Sequence, residues 1–178
     1  MLVQNVQEVI SLEPVRVEDA IEIYALIEKN YQYLAPWLPW VANLNSIAQE
    51  EAFLEYAVNK IAKGQLYLTN IVIDGQIIGQ IDIHNISQNN HRGEVGYWLD
   101  REFQGHGIMT YALRHIMEYA FAELHLHRLE LYTDVANESS QQVARRLSWK
   151  KEACLRDYLI SGSEYRDAVL FCKINHQN

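Results

Sequence analysis

Gln104-Gly105-His106-Gly107 stands between a β-branched, aromatic stretch and a run in which Met109, Leu113, Ile116, Met117, Ala120 and Leu124 fall on one helical stripe. Two glycines one residue apart let the backbone turn tightly and aim several N–H groups at one point, beside the positive end of a helix dipole. Gln104, Gly105, His106, Gly107, Ile108, Met109 and Thr110 therefore form a candidate anion cradle. It is not a Walker loop, because GxxxxGK[ST] is absent. It is not a dinucleotide fingerprint either, because Thr110 stands where the third glycine belongs. An ordinary tight turn is the competing reading of a GxG considered alone.

Other chemistry-bearing residues are scattered. Asn137-x-x-Ser140 has the spacing of a helix N-cap and also brings an amide and a hydroxyl together. His125 and His127 would share one strand face, but no third ligand can be named, so no metal is expected. His106 could touch an anion in the cradle or face solvent. Tyr31, Tyr33, Trp37 and Trp40 crowd around Pro36 and Pro39 and could be core or the wall of a groove. Arg145 and Arg146 could reach phosphates or lie on a solvated helix face. Cys154 and Cys172 are too few and too far apart for a CxxC site or a disulfide framework, and are expected to be buried thiols.

The elements that must position these residues are legible from period and punctuation. Glu18–Asn30 reads as a helix with acidic residues in its first turn. The two prolines deny it a continuation. Ser46 and Gln49 make a capping box for a second helix running to Lys63, which Gly64 stops. Residues 66–74 and 76–86 read as strands joined by an Asp74-Gly75 hairpin, and Gly93–Asp100 as a third strand of the meander. Gly96 interrupts that strand and suggests a bulge or a close backbone approach. The long helix after the cradle is followed by a strand (Arg128–Asp134), a short helix (Ser139–Leu147) and two closing strands (151–160 and 165–174). The expectation is a single α+β domain over residues 1–178, with about seven strands and about four helices.

With 178 residues, 49% apolar and 21% charged, the chain is an ordinary globular sequence. Its net charge of −8 argues against nucleic acid and against an anionic membrane as partners. Residues 1–64 carry 4 basic and 9 acidic side chains and form its acidic part. No run of apolar residues is long enough to span a bilayer. The stretch MLVQNVQEVI does not read as a secretory signal, so a cytoplasmic address is expected.

Glu94-Val95-Gly96-Tyr97-Trp98-Leu99-Asp100 followed by Phe103-Gln104-Gly105-His106-Gly107-Ile108-Met109-Thr110 closely resembles the pyrophosphate-binding core of the GNAT superfamily of N-acetyltransferases. Downstream, Asn137-Glu138-Ser139-Ser140, Val143-Ala144-Arg145-Arg146-Leu147, Glu152 and residues 162–167 resemble the closing motifs of the RimJ/RimL-type branch, which acetylates the N-termini of ribosomal proteins. The resemblance implies a mixed, mostly antiparallel sheet with a splayed central pair, and acetyl-CoA as co-substrate. The pyrophosphate would lie on the amides of residues 104–110, with Asn137 on the pantetheine arm. Backbone of Tyr97, Trp98 and Leu99 would pair with that arm like an extra strand, and a bulge at Gly96 would open the gap for the thioester. Two positions depart from the pattern: Met109 in the turn, and Ser148, where Leu-Gly-Phe is usual and Leu147-Ser148-Trp149 stands here.

Acetyl transfer to an amine needs a neutral nucleophile, a polarised carbonyl and a stabilised leaving thiolate. On the resemblance, Ser140 is the donor to sulfur. Glu94 is the candidate base, with an edge carboxylate facing solvent as its alternative. Asp157 is the second candidate base, and His84 could lie across the hairpin from Glu94. Tyr31, Tyr33, Trp37, Trp40 and His84 are the candidate acceptor-binding residues, in a slot made acidic by residues 1–64. Near pH 7.4 roughly a quarter of α-amines but only about a thousandth of lysines are neutral, which favours an N-terminal acceptor. A small-molecule N-acetyltransferase acting on antibiotics, polyamines or amino acids, a non-catalytic acyl-CoA-binding module, and a homodimer all stay open at this point.

Overall fold

Asp74 and Gly75 both take positive φ, 51° and 78°, as a tight two-residue hairpin requires, and join strand β2 (Tyr67–Ile73) to β3 (Gln76–Ser87). The computed structural model describes residues 10–176. Residues 1–9, where the sequence reading finds no signal, and residues 177–178 lie outside that range. Strand β4 (Arg92–Leu99) completes the meander. Then follow β5 (Arg128–Asp134), β6 (Lys150–Ser161) and β7 (Glu164–Ile174). The sequence reading missed β1 (Ile10–Pro14), a short edge strand paired antiparallel to β2. Pro14 sits at its end, where the missing N–H costs no ladder bond.

The seven strands run in the order β1-β2-β3-β4-β5-β7-β6, all antiparallel except β4 and β5. Helices α1 (Ala20–Lys29) and α3 (Ile47–Ala62) pack on one face, where Ile23, Leu54, Leu68 and Trp98 are buried. Helix α4 (Ile108–Ala122) covers the other, with Met109, Leu113, Ile116 and Ala120 in the core and Leu124 just past its end. The period of 3.6 read from the sequence is the period of that contact. Helix α5 (Glu138–Arg146) lies beside α4. Tyr31–Leu34 forms one short helical turn, α2, inside the segment expected to be irregular.

Caps account for the helix limits. Ser46 Oγ accepts from the Gln49 N–H at 3.3 Å, and the Gln49 side chain reaches back to the Asn45 N–H at 2.6 Å, one residue earlier than in the usual capping box. A buried polar chain fastens the α1 face to the sheet. Asn70 Nδ2 donates to Asp19 at 2.8 Å, Gln80 Nε2 to Asn70 at 3.0 Å, and Trp98 Nε1 to Gln80 at 3.2 Å. Each buried donor in the chain is thereby satisfied, and β2, β3 and β4 are tied in register.

Past α5, Ser148 occupies the left-handed region with φ 57°. The departure from glycine thus leaves the turn conformation intact and strains it, since a side chain in that region costs about 1–2 kcal/mol. The Ser148 side chain is exposed. Ser148→Gly is therefore expected to stabilise the fold by about 0.5–1 kcal/mol, the relieved strain being partly offset by the entropy of an unfolded glycine. Chemical denaturation measures this, and a lower midpoint in the variant would show that Ser148 is not strained.

Candidate active site

β4 and β5 pair over only three positions, Arg92↔Arg128, Gly93↔Leu129 and Glu94↔Glu130, and then part. β4 stays bonded to β3 as far as Leu99, and β5 to β7 as far as Asp134, so each half of the sheet keeps its own ladder while a wedge opens between them. The closed end is held by ions. Glu130, buried, accepts from Arg92 at 3.2 Å and from Arg128 at 2.6 Å, and Arg128 also pairs with Glu152 at 2.5 Å. Beside Arg128 the Glu152 carboxyl is held down at about 2.

A cleft runs through the wedge. Its lining includes residues 95–99 of β4, 131–134 of β5, the turn into α4, the start of α5, and Trp37 and Tyr33 from the segment after α1. The β5-facing backbone groups of residues 95–99 have no partner strand, and buried backbone groups demand one. The N-termini of α4 and α5 both open beside the cleft, with Gly107 and Asn137 at the two caps. Gly107 has φ 78° and Gly105 φ 79°, and a Cβ on either would meet nothing within 4 Å. Conformation, not crowding, is what asks for glycine there.

No amide N–H from residue 105 to 110 donates to an acceptor among the described residues. The Thr110 and Thr133 hydroxyls are also buried without a partner among them, and both residues line the cleft. Unpaired donors around a helix N-terminus suit a diphosphate, and an open strand edge suits an amide-bearing arm. These residues fit coenzyme A. Arg146 lines the cleft as well, whereas Arg145 is committed to Glu138 and Gln141. His106 is exposed outside the lining.

Asn137 Oδ1 accepts from the Ser140 N–H at 3.1 Å, so the capping role of that pair is present. The Ser140 hydroxyl lies 3.0 Å from the Tyr97 hydroxyl. Burial pushes Tyr97 up to about 12, so the phenol keeps its proton at neutral pH. Alternation along β4 sends Tyr97 to the α4 and α5 face and Glu94 to the opposite one. There His84 stands between two carboxylates: Nδ1 is 2.5 Å from Asp82 Oδ1, and Nε2 is 3.5 Å from Glu94 Oε2. Asp82 was missed in the sequence. The D-x-H spacing on a strand, which puts both side chains on one face, was the available signal.

Gly96 is not a bulge. The register of β3 with β4 runs unbroken from Gly79↔Leu99 to His84↔Glu94 and shifts only between His84 and Ser87. A Cβ at Gly96 would stand 2.8 Å from Asp82 Oδ2, so the glycine makes room for a carboxylate on the neighbouring strand. Tyr31 and Trp40, 47% and 43% exposed, lie outside the cleft lining. Tyr33, in the α2 turn, and Trp37, just after it, line the cleft instead. Asp157 is exposed at a bulge in β6, with φ 52°, and also lies outside the lining. None of the acidic side chains of residues 10–64 lines the cleft; Asp134, paired with Arg166 at 3.4 Å, does, whereas Asp82, His84, Glu94 and Glu130 stand outside its lining, beside the end where β4 and β5 still pair. Cys172 is buried but Cys154 is exposed, and His125 (φ 52°) and His127 precede β5 instead of sharing a face of it. Among the described residues no cluster of His, Cys, Asp or Glu is suited to a metal ion. No helix among them is long and apolar enough to cross a membrane.

Residues 10–150 match the family model described as the acetyltransferase (GNAT) domain. The chain is 34% identical over 184 aligned positions to a Bacillus subtilis (strain 168) protein described as "Putative ribosomal N-acetyltransferase YdaF", covering 99% of this chain and 97% of that one. It is 29% identical to the ribosomal-protein-serine acetyltransferase of Escherichia coli (strain K12), over 96% and 95% of the two chains. Among solved structures, the microcin C7 self-immunity acetyltransferase MccE in complex with acetyl-CoA and AMP superposes with a TM-score of 0.89 at 26% identity, over 95% and 94% of the chains. The parted parallel pair and the glycine turn are those of an acyl-CoA-dependent transferase fold. The chain belongs to the GNAT acetyltransferase family and is an acetyl-CoA-dependent N-acetyltransferase.

Gly107→Asp puts a carboxylate among the free N–H groups and a side chain on a φ of 78°, so it is expected to abolish acetyl-CoA binding in calorimetry. Micromolar affinity in that variant would place the diphosphate elsewhere.

Proposed function

We propose that the protein transfers an acetyl group from acetyl-CoA to the α-amine of a ribosomal protein in the cytoplasm. The observation that carries this reading is the wedge where β4 and β5 part, with a hydroxyl pair on one face of β4 and a carboxylate–imidazole cluster on the other. Two relatives that match over nearly the whole chain bear ribosomal acetyltransferase names, which supports the protein acceptor.

Acetyl-CoA brings the activated acyl group, with its thioester carbon as electrophile and its sulfur as leaving group. The amides of residues 104–110 bind the diphosphate and the open edge of β4 holds the arm. Ser140 donates a hydrogen bond or proton toward sulfur. Tyr97, protonated, can donate to Ser140 Oγ and leave the serine proton free to point into the cleft. Glu94 attracts the acceptor's ammonium. Trp37 and Tyr33 form the apolar side of the acceptor's path.

Ser140→Ala is expected to lower turnover by about 10²–10⁴-fold with acetyl-CoA affinity nearly intact, the signature of a group that acts in the transition state. Lost affinity with normal turnover would leave Ser140 with its capping role alone. For the acceptor, thiol release is compared on a short peptide with a free N-terminus and on its N-terminally blocked, lysine-containing analogue. The free peptide is expected to be far the better substrate, because its amine loses its proton more easily. Trp37→Ala is expected to raise the KM for that peptide and leave the KM for acetyl-CoA unchanged. Equal efficiency on the two peptides would move the enzyme to a lysine-directed or small-molecule class.

A further inference from the structure

At the closed end of the wedge two carboxylates converge on one imidazole. Asp82 Oδ1 is 2.5 Å from His84 Nδ1, which assigns that nitrogen the shared proton and leaves Nε2 as the position that gains or loses one. Nε2 faces Glu94 Oε2 across 3.5 Å, too long for a strong hydrogen bond but short enough for one N–H donor to contact both atoms. Glu94 is the last residue of β4 paired to β5, so this gap lies where the strands begin to part. The Asp82 carboxylate keeps its place because residue 96 has no Cβ, and Gly96 itself lines the cleft.

We infer that His84 Nε2 is the proton acceptor for the acceptor's ammonium, that Asp82 is the positioning residue that fixes its tautomer, and that Glu94 holds the ammonium against it. The inference rests on the amine-acetylation reading above. An ordinary carboxylate takes a proton from an α-ammonium against a factor of about 3,000, whereas an ordinary imidazole does so against a factor of only about 20. Asp82 improves the match, since its hydrogen bond and charge raise the His84 pKa against the effect of burial. In the step, an ammonium N–H bond breaks and its proton passes to Nε2. The freed lone pair forms the N–C bond, the C–S bond breaks, and the sulfur keeps the electron pair and takes the Ser140 hydroxyl proton, while the second proton that the nitrogen sheds on becoming an amide returns to Ser140 Oγ.

The charged groups around His84 are assigned. Asp82 shares its strand, Glu94 lies on the next, and beyond Glu94 on β5 stand Glu130, paired with Arg92 and Arg128, and the Tyr132 hydroxyl. On α1, packed against β3, Glu22 accepts from the Ile77 N–H, and Lys29 pairs with Asp100 and Glu102. The neutral imidazole is the active form, so kcat/KM should rise with pH through the His84 ionisation. Removing the Asp82 charge lowers the His84 pKa, so the acidic limb should move to lower pH.

The test is the pH profile of kcat/KM for the wild type, Asp82→Asn and His84→Gln, measured with a free N-terminal peptide and in parallel with putrescine. NMR titration of the His84 ring in acceptor-free protein accompanies it. Asp82→Asn should move both the acidic limb and the ring titration to lower pH. His84→Gln should abolish the limb and lower kcat by about 10²–10⁴-fold without changing the KM for acetyl-CoA. A limb shift seen with putrescine, with no turnover of the peptide, supports the proton route and removes the protein acceptor. An unmoved ring titration in Asp82→Asn overturns the positioning role. Turnover of His84→Gln within a few-fold of wild type overturns the proton route with either amine.

Discussion

Every feature of the site depends on a ladder that is left unfinished. In a parallel pair the hydrogen bonds are evenly spaced, and nothing intrinsic stops β4 and β5 from continuing after Glu94. They part because the two halves of the sheet diverge, each held together by its own antiparallel ladder on the outer side, β3 for β4 and β7 for β5. The ion pairs of Arg92 and Arg128 on Glu130 hold the closed end, where divergence would otherwise start earlier. The result is an interior strand edge, which in a folded protein is tolerable only if something else supplies its hydrogen bonds.

That opening also lets the two faces of one strand work on one reaction. Successive residues of β4 point to opposite sides, so Tyr97 meets Ser140 among the α4 and α5 contacts while Glu94 meets His84 on the side of α1 and α3. In an intact sheet these groups would be separated by backbone. Here β4 has no β5 partner beyond Glu94, and proton donor and proton acceptor stay apart in space, so neither neutralises the other. The buried chain from Asp19 through Asn70 and Gln80 to Trp98 keeps β2, β3 and β4 from sliding, and a slip of one residue would exchange the two faces.

Local signals made most of this legible. The hairpin at Asp74-Gly75, the Ser46 cap, the stripe of α4 and the glycine turn each depend on residues within a few positions, and the sequence placed them within a residue or two. Strand β1 escaped because ISLEP is short and ends in proline, and it becomes a strand only by pairing with β2, some sixty residues away. Of the two readings of Gly96, the close approach holds and the bulge does not, and the sequence could not decide between them for the same reason. Its partner, Asp82, is fixed by the β3–β4 register, which one strand's sequence does not contain. The aromatic segment divided likewise: Tyr33 in the α2 turn and Trp37 after it lie on the cleft while Tyr31 and Trp40 stay in solvent, a division that two prolines in ten residues kept out of any regular period.

The interior edge of β4 has a consequence for the life of the molecule. A bound co-substrate that completes this edge acts as an eighth, removable strand, and it favours the folded chain over the unfolded one by mass action, by about 2.7 kcal/mol at a hundred times its dissociation constant. The persistence of the enzyme is thereby linked to the supply of activated acetate. When that supply falls, the central seam of the sheet loses its filling first, and the protein becomes easiest to unfold and degrade at the moment its reaction has no donor.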